Sequence, residues 1–206
     1  MTPPDPAQDV IGLYERHADV WAELRRPGLG PEREWFGRFT ERLGAGASVL
    51  DVGCGHGDPL ARALLAEGFD VTGIDGAAAL IEQARRKLPQ GRWLVGDMRE
   101  LALGRTFDGL LAWFSLFHLP AEDQPGVIRR LGEHAHPGSV LLMATGPERG
   151  EVVGEFAGEP LYHASLAPAD YRTALGAAGF EVVAHRVRDP GCGDATVWLA
   201  RHIGHQ

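Results

Sequence analysis

The residues of this chain whose types and spacing are most readily put to chemical use are three aspartates and a run of glycines. Asp51 lies near the end of the apolar run 48–52, and Gly53, Gly55 and Gly57 follow at alternate positions. Closely spaced glycines after a strand leave the backbone bare, so a ligand can lie against main chain at the strand's carboxyl end. Asp75 ends the next apolar run, and Asp97 follows the one beyond it, in Val95-Gly96-Asp97-Met98. An acid about 20 positions beyond such a loop is placed to accept both hydroxyls of a ribose. Asp97 is suited to accept from an adenine amino group, with the polarisable thioether of Met98 near the ring. These types and spacings point to a nucleoside-like ligand.

Charge narrows that ligand. A dinucleotide fingerprint is G-x-G-x-x-G, with the pyrophosphate on the helix N-terminus and a third glycine for close packing. Gly53 and Gly55 match, but the third position holds Asp58. A carboxylate there opposes phosphate, and Asp51 adds a second negative charge. Both suit a ligand with a cationic amine and no phosphates. A nicotinamide-dependent oxidoreductase on the same kind of sheet is therefore the rival reading.

Short apolar runs alternating with helical stretches must position these groups, a texture that reads as βαβ units in a mostly parallel sheet. The strands are expected at 48–52, 69–74, 92–95, 107–113 and 139–144. The helices between them are expected at 58–67, opened by Asp58 as N-cap and Pro59, then at 77–88 and 124–136. Ahead of this core, Val10, Leu13, Tyr14, His17, Val20, Trp21 and Leu24 recur at helical spacing up to Arg26-Pro27-Gly28. A second helix opens at Pro31, with Trp35, Phe36, Phe39 and Leu43 on its apolar side. Residues 146–167 read as an ordered excursion over the body, and 168–178 as a last helix. Two closing strands, 180–187 and 196–200, are separated by a turn-rich segment.

At this point the sequence resembles a known family. Asp51-Val-Gly-Cys-Gly-His-Gly57, Gly73-Ile-Asp75, Gly96-Asp97-Met98 and Phe107-Asp-Gly-Leu-Leu-Ala112 look like the ordered motifs of class I S-adenosylmethionine-dependent methyltransferases. The resemblance covers residues 46–145. It implies one α/β domain, a Rossmann-like three-layer sandwich on a seven-stranded, mostly parallel sheet with an antiparallel last strand. It further implies a helical lid over residues 1–45 and a lid-like insertion at 146–167. By this resemblance Gly53 and Gly55 face the methionine part of S-adenosylmethionine, Asp75 the ribose, and Asp97 and Met98 the adenine. Ala112 offers backbone to the amino acid end, with Asp51 and Trp113 beside it. Tyr14, Trp21 and Arg26 lie on the helix that closes over the cofactor in similar enzymes. Tyr14 and Trp21 read equally as core anchors, and Arg26 either pairs with the cofactor carboxylate or is solvated.

Methyl transfer from a sulfonium asks the protein mainly to align acceptor, methyl and sulfur and to exclude water. The segment from Trp113 to Pro120 leaves the fourth strand where the family places the reacting centre. Trp113, Phe114 and Phe117 offer an aromatic wall for a cation or an acceptor. His118 is the candidate general base, or else a structural histidine. Tyr162 and His163 are a second polar pair able to reach an acceptor from above. The position after the fourth strand reads Ala112-Trp-Phe-Ser115, not the Asn/Asp-Pro-Pro-aromatic string of methyltransferases acting on nucleic acid bases.

Composition agrees with these expectations. Twenty basic against 28 acidic residues give the 206-residue chain a net charge of −8, which repels polyanions and argues against nucleic acid. No stretch approaches the roughly 18 apolar residues of a membrane span, and the start lacks a signal-peptide pattern. Two cysteines make no disulfide framework, which fits a cytoplasmic location. No metal site is expected, since the nine histidines are scattered. The expected function is methylation of a small molecule at nitrogen, oxygen or carbon by a monomer or homodimer. A catalytically silent relative serving as a sensor or partner is the remaining alternative.

Overall fold

In the computed structural model, residues 5–25, 28–30 and 32–204 are described. In chain order the elements are α1 (Val10–Arg16), α2 (Ala18–Leu24), α3 (Arg33–Thr40), β1 (Ser48–Val52), α4 (Leu60–Ala66), β2 (Asp70–Asp75), α5 (Ala78–Lys87) and β3 (Arg92–Val95). They continue through β4 (Phe107–Ala112), α6 (Gln124–Glu133), β5 (Ala135–Thr145), β6 (Gly150–Phe156), β7 (Glu159–Ser165), α7 (Pro168–Ala177), β8 (Phe180–Asp189) and β9 (Ala195–His202).

Seven strands form one sheet in the order β3-β2-β1-β4-β5-β9-β8, parallel from β3 to β5, with β9 antiparallel to both neighbours. Strands without charge alternation are buried on both faces. Val49, Leu111, Val140 and Leu142 join Trp35, Phe36 and Phe39 of α3 and Leu60 and Leu64 of α4 on one face. Leu50, Leu110, Leu141 and Met143 join Val127, Ile128 and Leu131 of α6 and Tyr171 and Leu175 of α7 on the other. Strand order reverses between β1 and β4, and a ligand crevice is expected at the carboxyl ends there. The register aligns Asp51 with Gly73 and Leu111, so the loops after β1, β2 and β4 emerge on one rim.

Several boundaries differ from the sequence expectation. The first helix is broken at His17 into α1 and α2, because the chain bends to wrap both the body and the 146–167 segment. Asp58 does not cap α4: the helix starts at Leu60, and the Asp58 carboxylate lies instead against the Arg62 guanidinium. β4 ends at Ala112, one residue before the expected end. α6 stops at Glu133, because His134 turns the chain so that Phe107 pairs with Ala135 and β5 begins ten residues before Thr145. α3, grouped by its position with the lid, is a core helix whose Trp35 donates from Nε1 to Asp189 at 2.7 Å. The 146–167 segment is a β-hairpin, β6 paired with β7.

Helices α1 and α2 pack across the rim. Leu13 meets Phe156 and Leu161 of the hairpin, while Ala18 meets Ala77 and Leu80 at α5. Polar contacts hold the same seam. Arg16 bridges Asp9 (2.8 Å) and Glu159 (2.6 Å), and Glu15 accepts from the amide of Ala79 at 2.9 Å. Among the described residues no helix is long and apolar enough to cross a membrane.

Candidate active site

The loop after β1 turns through three left-handed glycines, Gly53 (φ 74°), Gly55 (φ 56°) and Gly57 (φ 88°). A side chain at Gly53 would collide with Cβ of Ser115 and approach Cε of Met98 to 3.2 Å. One at Gly55 would sit 3.3 Å from Nε1 of Trp21. Gly57 serves packing instead, against Leu88 and Trp93. The loop is thus a bare cradle wherever it faces the rim.

Two adjoining cavities open on this loop and share Trp21, Gly53, Gly55 and Phe114. The larger, about 800 Å³ including the open solvent at its mouth, is walled by Asp75, Asp97, Met98, Tyr14, Ser115 and His118, with Ile11, Ile74 and Leu80 as an apolar strip. That size is within the usual range for small-molecule sites. The smaller is walled by Asp51, Arg25, Trp113 and the glycine loop.

Of the sequence-nominated cofactor residues, Asp51, Gly53, Gly55, Asp75, Asp97, Met98, Trp113, Tyr14 and Trp21 all line one or both cavities. Ala112 is fully buried in the core and lines neither. Arg26 lies outside the described residues. Its neighbour Arg25, which sequence reasoning passed over, lies 4.7 Å over the Trp21 ring and lines the smaller cavity, as does Asp51. Burial lowers the Arg25 pKa, with Glu32 and Tyr14 opposing.

Asp75 accepts from the amides of Gly55 and Ala77, each at 2.9 Å, one on each carboxylate oxygen. Those bonds lower its pKa, yet burial dominates and raises it. Asp51 is 4% exposed, and burial reinforced by the charge of Asp75 pushes it to about 7. Burial also acts to raise Asp97, but the side-chain and backbone bonds from Arg99 outweigh it and hold the group below its usual value. Asp58, expected to add charge at this mouth, lines the smaller cavity paired with Arg62, as Asp97 is paired with Arg99 in the larger, so among the described residues Asp51 and Asp75 are the lining acids without an ion-pair partner.

Another wall of the larger cavity is built on the turn after β4. Phe114 adopts φ 50°, a left-handed backbone rare for a bulky residue and a mark of strain at sites. The turn is pinned by Ser115, which donates from Oγ to the carbonyl of Val52 at 2.7 Å, a residue no sequence signal singled out. Rings follow in a ladder from Trp113 to Phe114 (5.1 Å), Phe117 (5.9 Å) and His118 (4.8 Å). His163 stacks beside both Phe117 (5.4 Å) and His118 (4.8 Å). Tyr162 requires a correction, because β7 turns its side chain away from both cavities and only its carbonyl reaches His118, at 3.1 Å. Phe117 and His163 also stand behind the cavity wall rather than on it. No group of three or more His, Cys, Asp or Glu able to hold a metal occurs among the described residues.

Fold and site together define an α/β protein with a glycine-bared, acid-lined crevice at the carboxyl ends of its parallel strands. Residues 49–138 match the family described as a methyltransferase domain. The chain is 35% identical over 129 residues to a trans-aconitate 2-methyltransferase of Deinococcus radiodurans, covering 61% of this chain and 47% of that protein. It is 32% identical over 141 residues to a dTDP-3-amino-3,4,6-trideoxy-alpha-D-glucopyranose N,N-dimethyltransferase of Streptomyces venezuelae, covering 64% of this chain and 58% of that one. The chain thus spans about half the length of these curated relatives. The solved CcbJ methyltransferase of Streptomyces caelestis superposes with a TM-score of 0.75 at 20% identity, covering 98% of this chain and 100% of that one. Over residues 49–138 the chain is thus similar to a methyltransferase domain, and it shares its fold with a solved methyltransferase.

Proposed function

We propose that this chain transfers the methyl group of S-adenosylmethionine to a small organic acceptor at nitrogen, oxygen or carbon. The observation that carries the reading is a glycine-bared crevice lined by Asp51, Asp58, Asp75 and Asp97, of which Asp51 and Asp75 have no ion-pair partner among the described residues, with Arg25 at one end. Such a lining suits a phosphate-free nucleoside that brings an amine, a carboxylate and a sulfonium, and it opposes a pyrophosphate. Asp75 keeps free lone pairs for the ribose, Asp97 and Met98 take the adenine, and Asp51 takes the amine. Gly53, Gly55 and the Ala112 backbone flank the methionine part, with Trp113 beside it. Arg25 or Arg26 pairs with its carboxylate. Tyr14 and Trp21 close the site from the lid.

When bound, the cofactor supplies an electrophilic methyl. The protein's part is to exclude water through α1, α2 and the hairpin, to hold the acceptor against Phe114 with Phe117 and His163 behind it, and to take up the acceptor's proton at the hydrogen-bonded Tyr14–His118 pair. The relatives named above methylate, by their names, a carboxylic acid and an amino sugar, which fits a small acceptor. We infer further a cytoplasmic monomer or homodimer, a location consistent with two buried, unpaired cysteines, Cys54 and Cys192.

Calorimetric titration with S-adenosylhomocysteine tests the reading. Saturable binding is expected, and Asp75→Ala should weaken it by about 1 to 3 kcal/mol through the lost charge-assisted contact. Tight binding of NAD with no response to S-adenosylhomocysteine would overturn it.

A further inference from the structure

His118 has no nitrogen free for an acceptor in the closed lid. Its Nδ1 lies 3.1 Å from the carbonyl oxygen of Tyr162, which can only accept, so Nδ1 carries the proton. In the neutral ring Nε2 is then a bare lone pair, and it lies 3.1 Å from the hydroxyl of Tyr14, which donates to it. Burial holds the imidazole neutral, lowering it to about 4. The ring is clamped between Phe117 and His163, each at 4.8 Å, with the Tyr14 ring at 5.4 Å. Tyr14 comes from the lid helix α1 and itself lines the larger cavity together with Gly53, Asp75 and Phe114. Its oxygen, having donated its proton to His118, keeps lone pairs to offer.

We propose that Tyr14 is the catalytic residue that receives the acceptor's proton, handing its own hydroxyl proton to His118, whose ring the Tyr162 carbonyl fixes in the receiving tautomer. The proposal rests on the methyl-transfer reading. The acceptor's lone pair forms the bond to the methyl carbon, and the electron pair of the broken carbon–sulfur bond stays on sulfur. The acceptor's proton moves to Tyr14 Oη as the Tyr14 proton moves to His118 Nε2, so Tyr14 ends neutral and His118 ends as imidazolium. The crevice therefore begins and ends with one positive charge, and no charge is separated in a poorly solvated site. His118 acts through Tyr14 and is a positioning residue as well as the terminal proton holder. Separation of α1 from the hairpin would expose the imidazolium to water and release the proton.

The test is binding of two cofactor analogues. Sinefungin carries an amine where the cofactor carries its methyl, and S-adenosylhomocysteine carries nothing there. Tyr14→Phe keeps the ring and removes the hydroxyl. It should lose about tenfold in sinefungin affinity, the size of one charge-assisted hydrogen bond, and less than twofold in S-adenosylhomocysteine affinity. Nitrogen-15 spectra of labelled His118 should show Nδ1 protonated and Nε2 bare. Sinefungin should shift Nε2 in the native protein and not in Tyr14→Phe. Equal loss of both ligands would make Tyr14 a lid contact only and overturn the relay, as would no loss of either or an Nε2-protonated tautomer. If the native protein binds neither analogue, the methyl-transfer reading itself fails and takes the relay with it.

Discussion

Asp51 is the residue at which the fold's electrostatics become measurable. It is a carboxyl raised to about 7 by burial and by Asp75, facing the space assigned to a ligand amine. A cation there favours the ionised form, so binding below about pH 7 must expel a proton from Asp51. S-adenosylhomocysteine affinity should rise with pH up to about 7 and level off above. Calorimetry in buffers of different ionisation enthalpy should show proton release on the acid side, and Asp51→Asn should abolish both effects. Sequence alone marked Asp51, Asp75 and Asp97, because strand ends and the spacing from the glycine loop locate them. It could not assign Asp58, whose charge is cancelled by a neighbour one helical turn away. Nor could it find Ser115 or Arg25, since a serine pinning a strained turn and an arginine over a tryptophan carry no spacing signature.

At the scale of elements, the proposed closure of the site rests on α1 packing against the β6–β7 hairpin. Phe156 is 8% exposed and stands at 5.4 to 6.0 Å from Tyr14, His17 and Trp21, so one ring gathers three lid side chains. Exposed pairs such as Arg16 with Glu159 contribute little by comparison. Phe156→Ala should cost the lid about 3 kcal/mol of local stability. Hydrogen exchange should then speed up at α1 and the hairpin while β1, β4 and β5 stay protected. Unchanged exchange at α1 would remove Phe156 from the closure. The sequence marked 146–167 as an ordered excursion through Phe156, Leu161 and Tyr162 among polar residues. Its hairpin form was hidden because β6 is exposed along most of its length and shows no buried alternation.

For the whole molecule, the buried and half-buried histidines are expected to shape the response to acid. His56 and His118 are each lowered to about 4, chiefly by burial, and His163 and His185 are lowered as well. Between about pH 4 and pH 6.5 the unfolded chain protonates these imidazoles and the folded chain does not, so stability rises with pH in that window. Asp51 and Asp75 act in the opposite sense, since the folded chain keeps them protonated above the unfolded value. Asp97, Asp108 and Asp189, held below their usual values, act in the same sense as the imidazoles. The thermal midpoint should fall on acidification from pH 6.5 towards 4, and His56→Asn should flatten that fall. A midpoint that climbs with acidification would show the carboxyls dominating.

The sheet itself was written in the chain, because apolar runs spaced by single helices leave the parallel crossover as the way to bury both faces. The glycine loop and the rim acids follow from it, being local to strand ends. What the tertiary structure alone decided was the pairing of residues far apart in sequence. Tyr14 meets His118 across 104 positions and His118 meets Tyr162 across 44. Which nitrogen of an imidazole carries its proton depends on what stands opposite each one, and no periodicity along a chain records that.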